Sequence, residues 1–427
     1  MRHRNSSRPA TLARAALAAC VSLLFAPATF AQGDLTGGVG QFAVQPKKPK
    51  AVISAKPKPP AVKAGPKATA NERLLAAAGS GDAAAASKLL GAGADANTRS
   101  KEGCAALVYA VAAKDPGAAS ALLAKGADAN ARCTDGVTAL MVAAESGDAA
   151  TAQSLTERGA DANAKTDDGR TALMFAASSG QLSIVRALLA KGADVNARYK
   201  DGRTALTFAA ANGYAAVAGE LLSKGAGVDA RAEDGWTPLL WASWFGHADV
   251  IRLLLDKGAD AAALDRDKDT ALMKAATQGH VAVVRMLLQA KGVDANARGN
   301  GGGTALLFAS SRASAYEVVE ALLAKGADVN ARNDAGMTPV ILAAAYGRIP
   351  TLEVLLEKGG DVNARTPKGF SALIAAANKG LAGTVQLLIE HGAEVNAAYE
   401  DGRTALTFAE QNGQAKVVEI LKNAGAK

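Results

Sequence analysis

Residues able to make or break bonds are few in this chain, and their spacing argues against a reaction centre. There are four histidines. His3 sits in the basic N-terminal stretch, His247 and His280 each follow a glycine, and His391 precedes Gly392. A triad or metal centre needs partners that converge in space, whereas these positions follow a periodic pattern of turns. Aspartate and glutamate recur as turn formers, not as a general acid and base pair. The run Gly299 to Gly303 is glycine-rich but lacks the Lys-Ser/Thr of a phosphate-cradling loop. Beyond Cys20 only Cys104 and Cys133 remain, and two sulfurs with no nearby histidine do not make a zinc site. This inventory predicts no catalytic residues, no metal and no cofactor.

What must position these residues is a repeated unit, seen most clearly from Asp167 to Arg198. Asp168-Gly169 supplies a tight turn. Thr171 offers a hydroxyl to cap a helix that carries Leu173, Met174 and Ala177, and Gly180 ends it. A second helix presents Ile184, Val185, Leu188 and Leu189 before Gly192 stops it and Ala193-Asp194-Val195-Asn196 leads out extended. Two helices this short cannot bury their apolar faces alone, so copies must flank them. Thr138, Thr171, Thr204, Thr237 and Thr270 mark helix starts 33 residues apart, and Thr304, Thr338, Ser371 and Thr404 continue the series. Ala105 holds the same slot upstream, and a weaker copy starts near Asn71.

A 33-residue period of one turn and two helices resembles the ankyrin-repeat family, from about residue 71 to the end. The resemblance implies an all-α solenoid of about 11 stacked helix-turn-helix repeats, terminal caps included, with β-hairpin fingers. The first copy lacks the Asp-Gly turn and the threonine cap, and the last ends in Glu410, Gln411, Lys416 and Lys422; both read as polar caps. One departure is the family's T-P-L-H opening, here mostly T-A-L-M or T-A-L-T, with Pro only at Pro238 and Pro339. Irregularities cluster between about residues 262 and 316: an extra residue near Gln289 to Lys291, another near Ser310 to Ser314, and Lys268 in place of a turn glycine. Each is explained by drift in tolerant loops, or together by a local change of curvature.

The family places the residue before the threonine on the finger, and the last residues of the first helix on the concave face. These slots mostly hold small or polar residues, but in one repeat they hold Trp236, Trp244 and Phe245. Met337, Tyr346 and Phe370 occupy them further along, and Arg170 and Arg203 upstream. By contrast Phe175, Phe208, Trp241, Phe308 and Phe408 share a slot inside the first helix and are expected in the core. Exposed, clustered aromatics mark interaction sites. The expectation is therefore a partner-binding surface centred on Trp236, Trp244 and Phe245, extended by Met337, Tyr346 and Phe370, with Arg170 and Arg203 as a polar flank. Cys104, on the returning arm of one finger, and Cys133, on the outgoing arm of the next, are positioned either as a disulfide or as two free thiols.

The N-terminal 70 residues differ in kind. Arg2, Arg4, Arg8 and Arg14 precede an apolar run from Ala15 to Phe25 and a small-residue site at Ala31, the order of a secretory signal peptide over 1–31. Leu17-Ala18-Ala19-Cys20 also resembles a lipoprotein lipobox, but too little apolar sequence precedes Cys20, and cleavage after Ala31 is expected. Residues 32–70 hold seven lysines and one acidic residue, Asp34, with six prolines between Pro46 and Lys67. Such a segment stays extended and unfolded, either as a spacer or as an arm that docks on anionic membrane or cell-wall polymer. The leader and this segment account for more than the net charge of +8 and leave the repeats near −2. That excludes the electrostatic footprint of a nucleic-acid binder. The chain is expected to be exported, periplasmic or secreted, monomeric, and a non-catalytic scaffold for a protein partner. The alternative is an envelope component anchored through its basic segment.

Overall fold

A computed structural model describes residues 68–427. The leader over 1–31, with Cys20 and the Ala31 cleavage site, and residues 32–67 of the basic segment lie outside the described residues.

Among the described residues are 22 α-helices and one 3-10 turn, Asn300–Gly302. They alternate between an inner helix and an outer helix in each repeat. In the unit described above, Thr171 Oγ1 accepts from the Met174 N–H at 3.4 Å and starts the inner helix Ala172–Ser178. A glycine turn then reverses the chain into the outer helix Leu182–Ala190. Every residue from Ala172 to Ala177 is buried, whereas the outer helix buries only Ile184, Val185 and Leu188. The difference follows from packing. Each inner helix is sandwiched between the inner helices of both neighbours, and each outer helix covers the stack from one side. Alanine at so many inner positions lets these backbones approach closely. No helix among the described residues is long and apolar enough to cross a membrane.

The fingers are tight turns rather than the expected β-hairpins. Each closes with two backbone bonds across the turn, as where the Thr166 N–H donates to the Arg170 carbonyl at 2.9 Å and the Gly169 N–H to the Thr166 carbonyl at 2.8 Å. Only isolated antiparallel bridges form, as between Arg132 and Thr138. Fingers also touch tip to tip, Lys200 N–H donating to the Asp168 carbonyl at 3.1 Å. Lys268 takes φ +58° where neighbouring fingers carry glycine, a left-handed conformation costly for a residue with a Cβ.

The first repeat does have a threonine cap, two residues before the expected start. Thr69 Oγ1 accepts from the Glu72 N–H, and the Glu72 carboxylate answers to the Thr69 N–H. At the other end Lys422 pairs with Glu410 at 2.9 Å on the last helix pair.

Two side chains per repeat stitch one copy to the next. Asn130 Oδ1 accepts from the Asp161 N–H at 2.7 Å while its Nδ2 donates to the Gly159 carbonyl at 2.9 Å. Asn97, Asn163, Asn196, Asn296, Asn330, Asn363 and Asn396 repeat this two-bond stitch. Two residues on, an arginine reaches the following finger. Arg99, Arg132, Arg198, Arg231, Arg298 and Arg332 each donate to a backbone carbonyl of the next repeat. These two ladders hold the repeats in register where the histidine of the T-P-L-H opening is absent.

Candidate functional site

The aromatic repeat is built differently from the expectation. Trp236 is only 4 % exposed and Trp244 8 %. Met337 and Phe370 are buried as well, at 3 % and 8 %. The reason lies in a pairing of slots five residues apart. The residue before the threonine folds down onto the fifth residue beyond it, on the inner helix. Arg170 lies 5.2 Å from the Phe175 ring centre, Arg203 4.8 Å from that of Phe208, and Arg403 4.3 Å from that of Phe408. In the same slots Trp236 packs on Trp241 with centroids 4.3 Å apart. The finger slot is thus a lid over the inner helix, and a large apolar residue there is covered rather than displayed.

The arginines are held in the same way. Arg170 binds Asp168 at 2.8 Å and Arg203 binds Asp201 at 2.7 Å, leaving their side chains 15 % and 13 % exposed. They are pinned lids, not a free polar flank. The Asp168 carboxyl is lowered below its ordinary pKa: burial opposes this, but hydrogen bonds from Arg170 and Thr166 prevail.

Phe175, Phe208, Trp241 and Phe408 are buried as their slot requires. Phe308 is only half-buried, because its lid position is Gly303 and offers no side chain.

The next repeat replaces the aromatic pair with charge. Lys274 stands where its neighbours carry Phe or Trp, is buried, and pairs with Asp265 at 2.7 Å and Asp269 at 2.8 Å. Its ammonium also sits 4.8 Å from the Trp236 ring centre, so charge and ring close the seam together. Burial disfavours that charge, yet the two carboxylates more than offset it and hold Lys274 above the ordinary lysine pKa.

Accessible groups lie at the end of the inner helix and the turn after it. Phe245 is half-buried, stacked on Trp241 at an interplanar angle of 11° and against His247. His247 Nε2 bonds the Ala211 carbonyl of the preceding repeat at 3.1 Å, and His280 does the same to the Trp244 carbonyl at 3.0 Å. Burial pushes His247 below the ordinary histidine pKa; the bond to Ala211 opposes this and His280 adds to it. Tyr214, one repeat earlier, and Tyr346, three repeats later, are each 37 % exposed, and the Arg348 guanidinium lies 5.8 Å from the Tyr346 ring centre.

Cys104 and Cys133 are joined Sγ to Sγ, 29 residues apart in sequence. Among the described residues no group of three or more His, Cys, Asp or Glu side chains is placed to hold a metal ion. What sequence reasoning missed is the pair of inter-repeat ladders. Their signal was legible as Asn and Arg two residues apart, as in Asn97/Arg99, Asn130/Arg132 and Asn196/Arg198.

No curated protein matches this chain. The family model for ankyrin repeats (3 copies) matches it repeatedly, over residues 74–166, 112–199, 147–232, 173–265, 260–333, 300–366 and 340–427. These overlapping matches follow the helix pairs, the threonine caps and the stitched seams from the first repeat to the last. The chain belongs to the ankyrin-repeat family.

Proposed function

We propose that this protein is a non-catalytic scaffold, exported to the bacterial envelope, that holds a partner protein along the ends of its inner helices. Ankyrin repeats generally mediate protein–protein interaction, and fold alone does not name a partner. The observation that carries the reading is Phe245. It rests flat on a buried tryptophan and stays partly accessible, where the equivalent positions are Ser179, Asn212 and Gln278. A rigid aromatic that loses little freedom on binding is the usual anchor of an interface. Trp236, Trp244, Met337 and Phe370 would support this surface from beneath, with Tyr214, His247 and Tyr346 continuing it.

The test is a photo-crosslinking residue at position 245 or 346 of the full-length protein in its native cells. Both should trap the same protein, and position 175, buried in the core, should trap none. Absence of any adduct at 245 and 346 would remove the surface from consideration. Phe245→Ala should weaken that complex by roughly thirty-fold, the scale of an anchor worth ~2 kcal/mol.

A second reading rests on the seven lysines of residues 32–70. An arm of that charge would hold the repeats at an anionic surface. Sedimentation of the processed protein with anionic vesicles or purified cell wall, lost at high salt and on truncating the arm, would support it.

A further inference from the structure

The two ladders described above do not run unbroken. At residue 229 the asparagine is replaced by Asp229, which accepts from the Asp260 N–H at 3.1 Å but has no N–H to donate. One repeat later the slot is Ala262, which can do neither, and the arginine slot is Leu264, an exposed apolar side chain. Lys165 and Ala398 also interrupt the arginine ladder, but at those seams Asn163 and Asn396 keep both of their bonds. Among the described residues, the seam between the repeats starting at Thr237 and Thr270 lacks both stitches.

Three further observations fall at the same place. The outer helix Val281–Leu287 is two residues shorter than most, and the loop after it carries the extra residue near Gln289 to Lys291. A groove of about 630 Å³ opens on this side between Leu255, Ala259 and Ala261 and the facing Met286, Gln289 and Gly292. The fingers, by contrast, stay joined on both sides: Arg266 N–H donates to the Asp234 carbonyl at 3.1 Å, and Asn300 N–H to the Asp267 carbonyl at 2.8 Å. The seam is held at the finger tips and through the inner helices, and is unstitched toward the outer helices.

We propose that the solenoid is built to yield here, the block up to about residue 264 and the block beyond it parting at the outer helices about a pivot at the finger tips. Such a joint lies between Phe245 and Tyr346 in sequence and would change their separation on the binding surface. The inference itself stands on the missing stitches and does not require that surface.

Amide hydrogen exchange of the full chain tests it. Segments 258–264 and 291–298 should exchange about ten-fold faster than 192–198 and 225–231, which face each other across a fully stitched seam, given two to three lost side-chain bonds. Asn196→Ala with Arg198→Leu should bring that stitched seam to the same fast exchange. Ala262→Asn with Leu264→Arg should slow exchange at the open seam. Equal protection of the two wild-type seams would overturn the proposal, and so would a double variant at 196 and 198 that leaves exchange at its own seam unchanged.

Discussion

The rings of Trp236 and Trp241 lie 4.3 Å apart, centre to centre, one from a finger and the other from the inner helix beneath it. Both are buried, and the contact fastens the finger to the helix within one repeat. Cutting either ring to alanine removes a large core side chain, at a cost of ~3–5 kcal/mol. Trp236→Ala and Trp241→Ala should each lower the urea midpoint markedly, while Phe245→Ala should melt close to wild type. A Trp236→Ala protein of unchanged stability would show that the finger is not fastened by this contact.

Lys274 should prove indispensable to its two carboxylates. Lys274→Met leaves the buried Asp265 and the half-buried Asp269 without a cation, and breaking a buried pair in this way typically costs ~3–5 kcal/mol. Replacing all three residues with apolar ones should recover most of the loss, because a packed seam does not need the charges. Denaturant melts of the single and triple variants check both statements, and a harmless Lys274→Met would contradict the first.

The two cysteines should be oxidised in the protein isolated from its native cells. Thiol counting under denaturing, non-reducing conditions should find neither Cys104 nor Cys133 free; two free thiols would end the idea. Replacing both with serine should cost about 2–4 kcal/mol, as for a typical disulfide.

Stability should fall on acidification in a way that His247 controls. Its folded-state pKa lies below the ordinary value, so the unfolded chain takes up the proton first. The contribution is complete above about pH 6.5 and is lost as pH drops through the lower folded value. The melting temperature should therefore decline between about pH 7 and pH 5. His247→Gln, which puts there the residue found at Gln181 and Gln414, should flatten that decline. An unchanged profile would mean that this imidazole is not the group responsible.

Intact-mass measurement of the protein from its own cells should give Gln32 as the first residue. A species beginning at Cys20 and carrying lipid would make it a membrane-tethered lipoprotein instead.

The architecture was legible because each signal recurs. Threonine caps, turn glycines and apolar stripes that would be weak once are decisive when they return every 33 residues. The surface was less legible. Trp236, Met337 and Phe370 were expected in the open because their slot holds arginine in other repeats, and arginine suggests solvent. In fact Arg170 and Arg203 lay their guanidinium groups on Phe175 and Phe208, so the slot was covered all along. The clue was available in the pairs themselves: Arg with Phe, Trp with Trp, Asp269 with Lys274, always five residues apart. Single-residue slots hid what paired slots reveal.

The stitches between repeats reach only a short way along the chain. The side-chain bonds described here join residues about 30 apart, and even Arg348, which reaches back to the Ser311 carbonyl, spans only 37. A growing polypeptide therefore need not wait for its far end. Each pair of helices meets its docking partner once the next thirty or so residues have left the ribosome, and loop closures this short carry a modest entropic cost. Assembly can start at any well-formed pair and spread in either direction. The seam at Ala262 and Leu264 is where that spreading should pause.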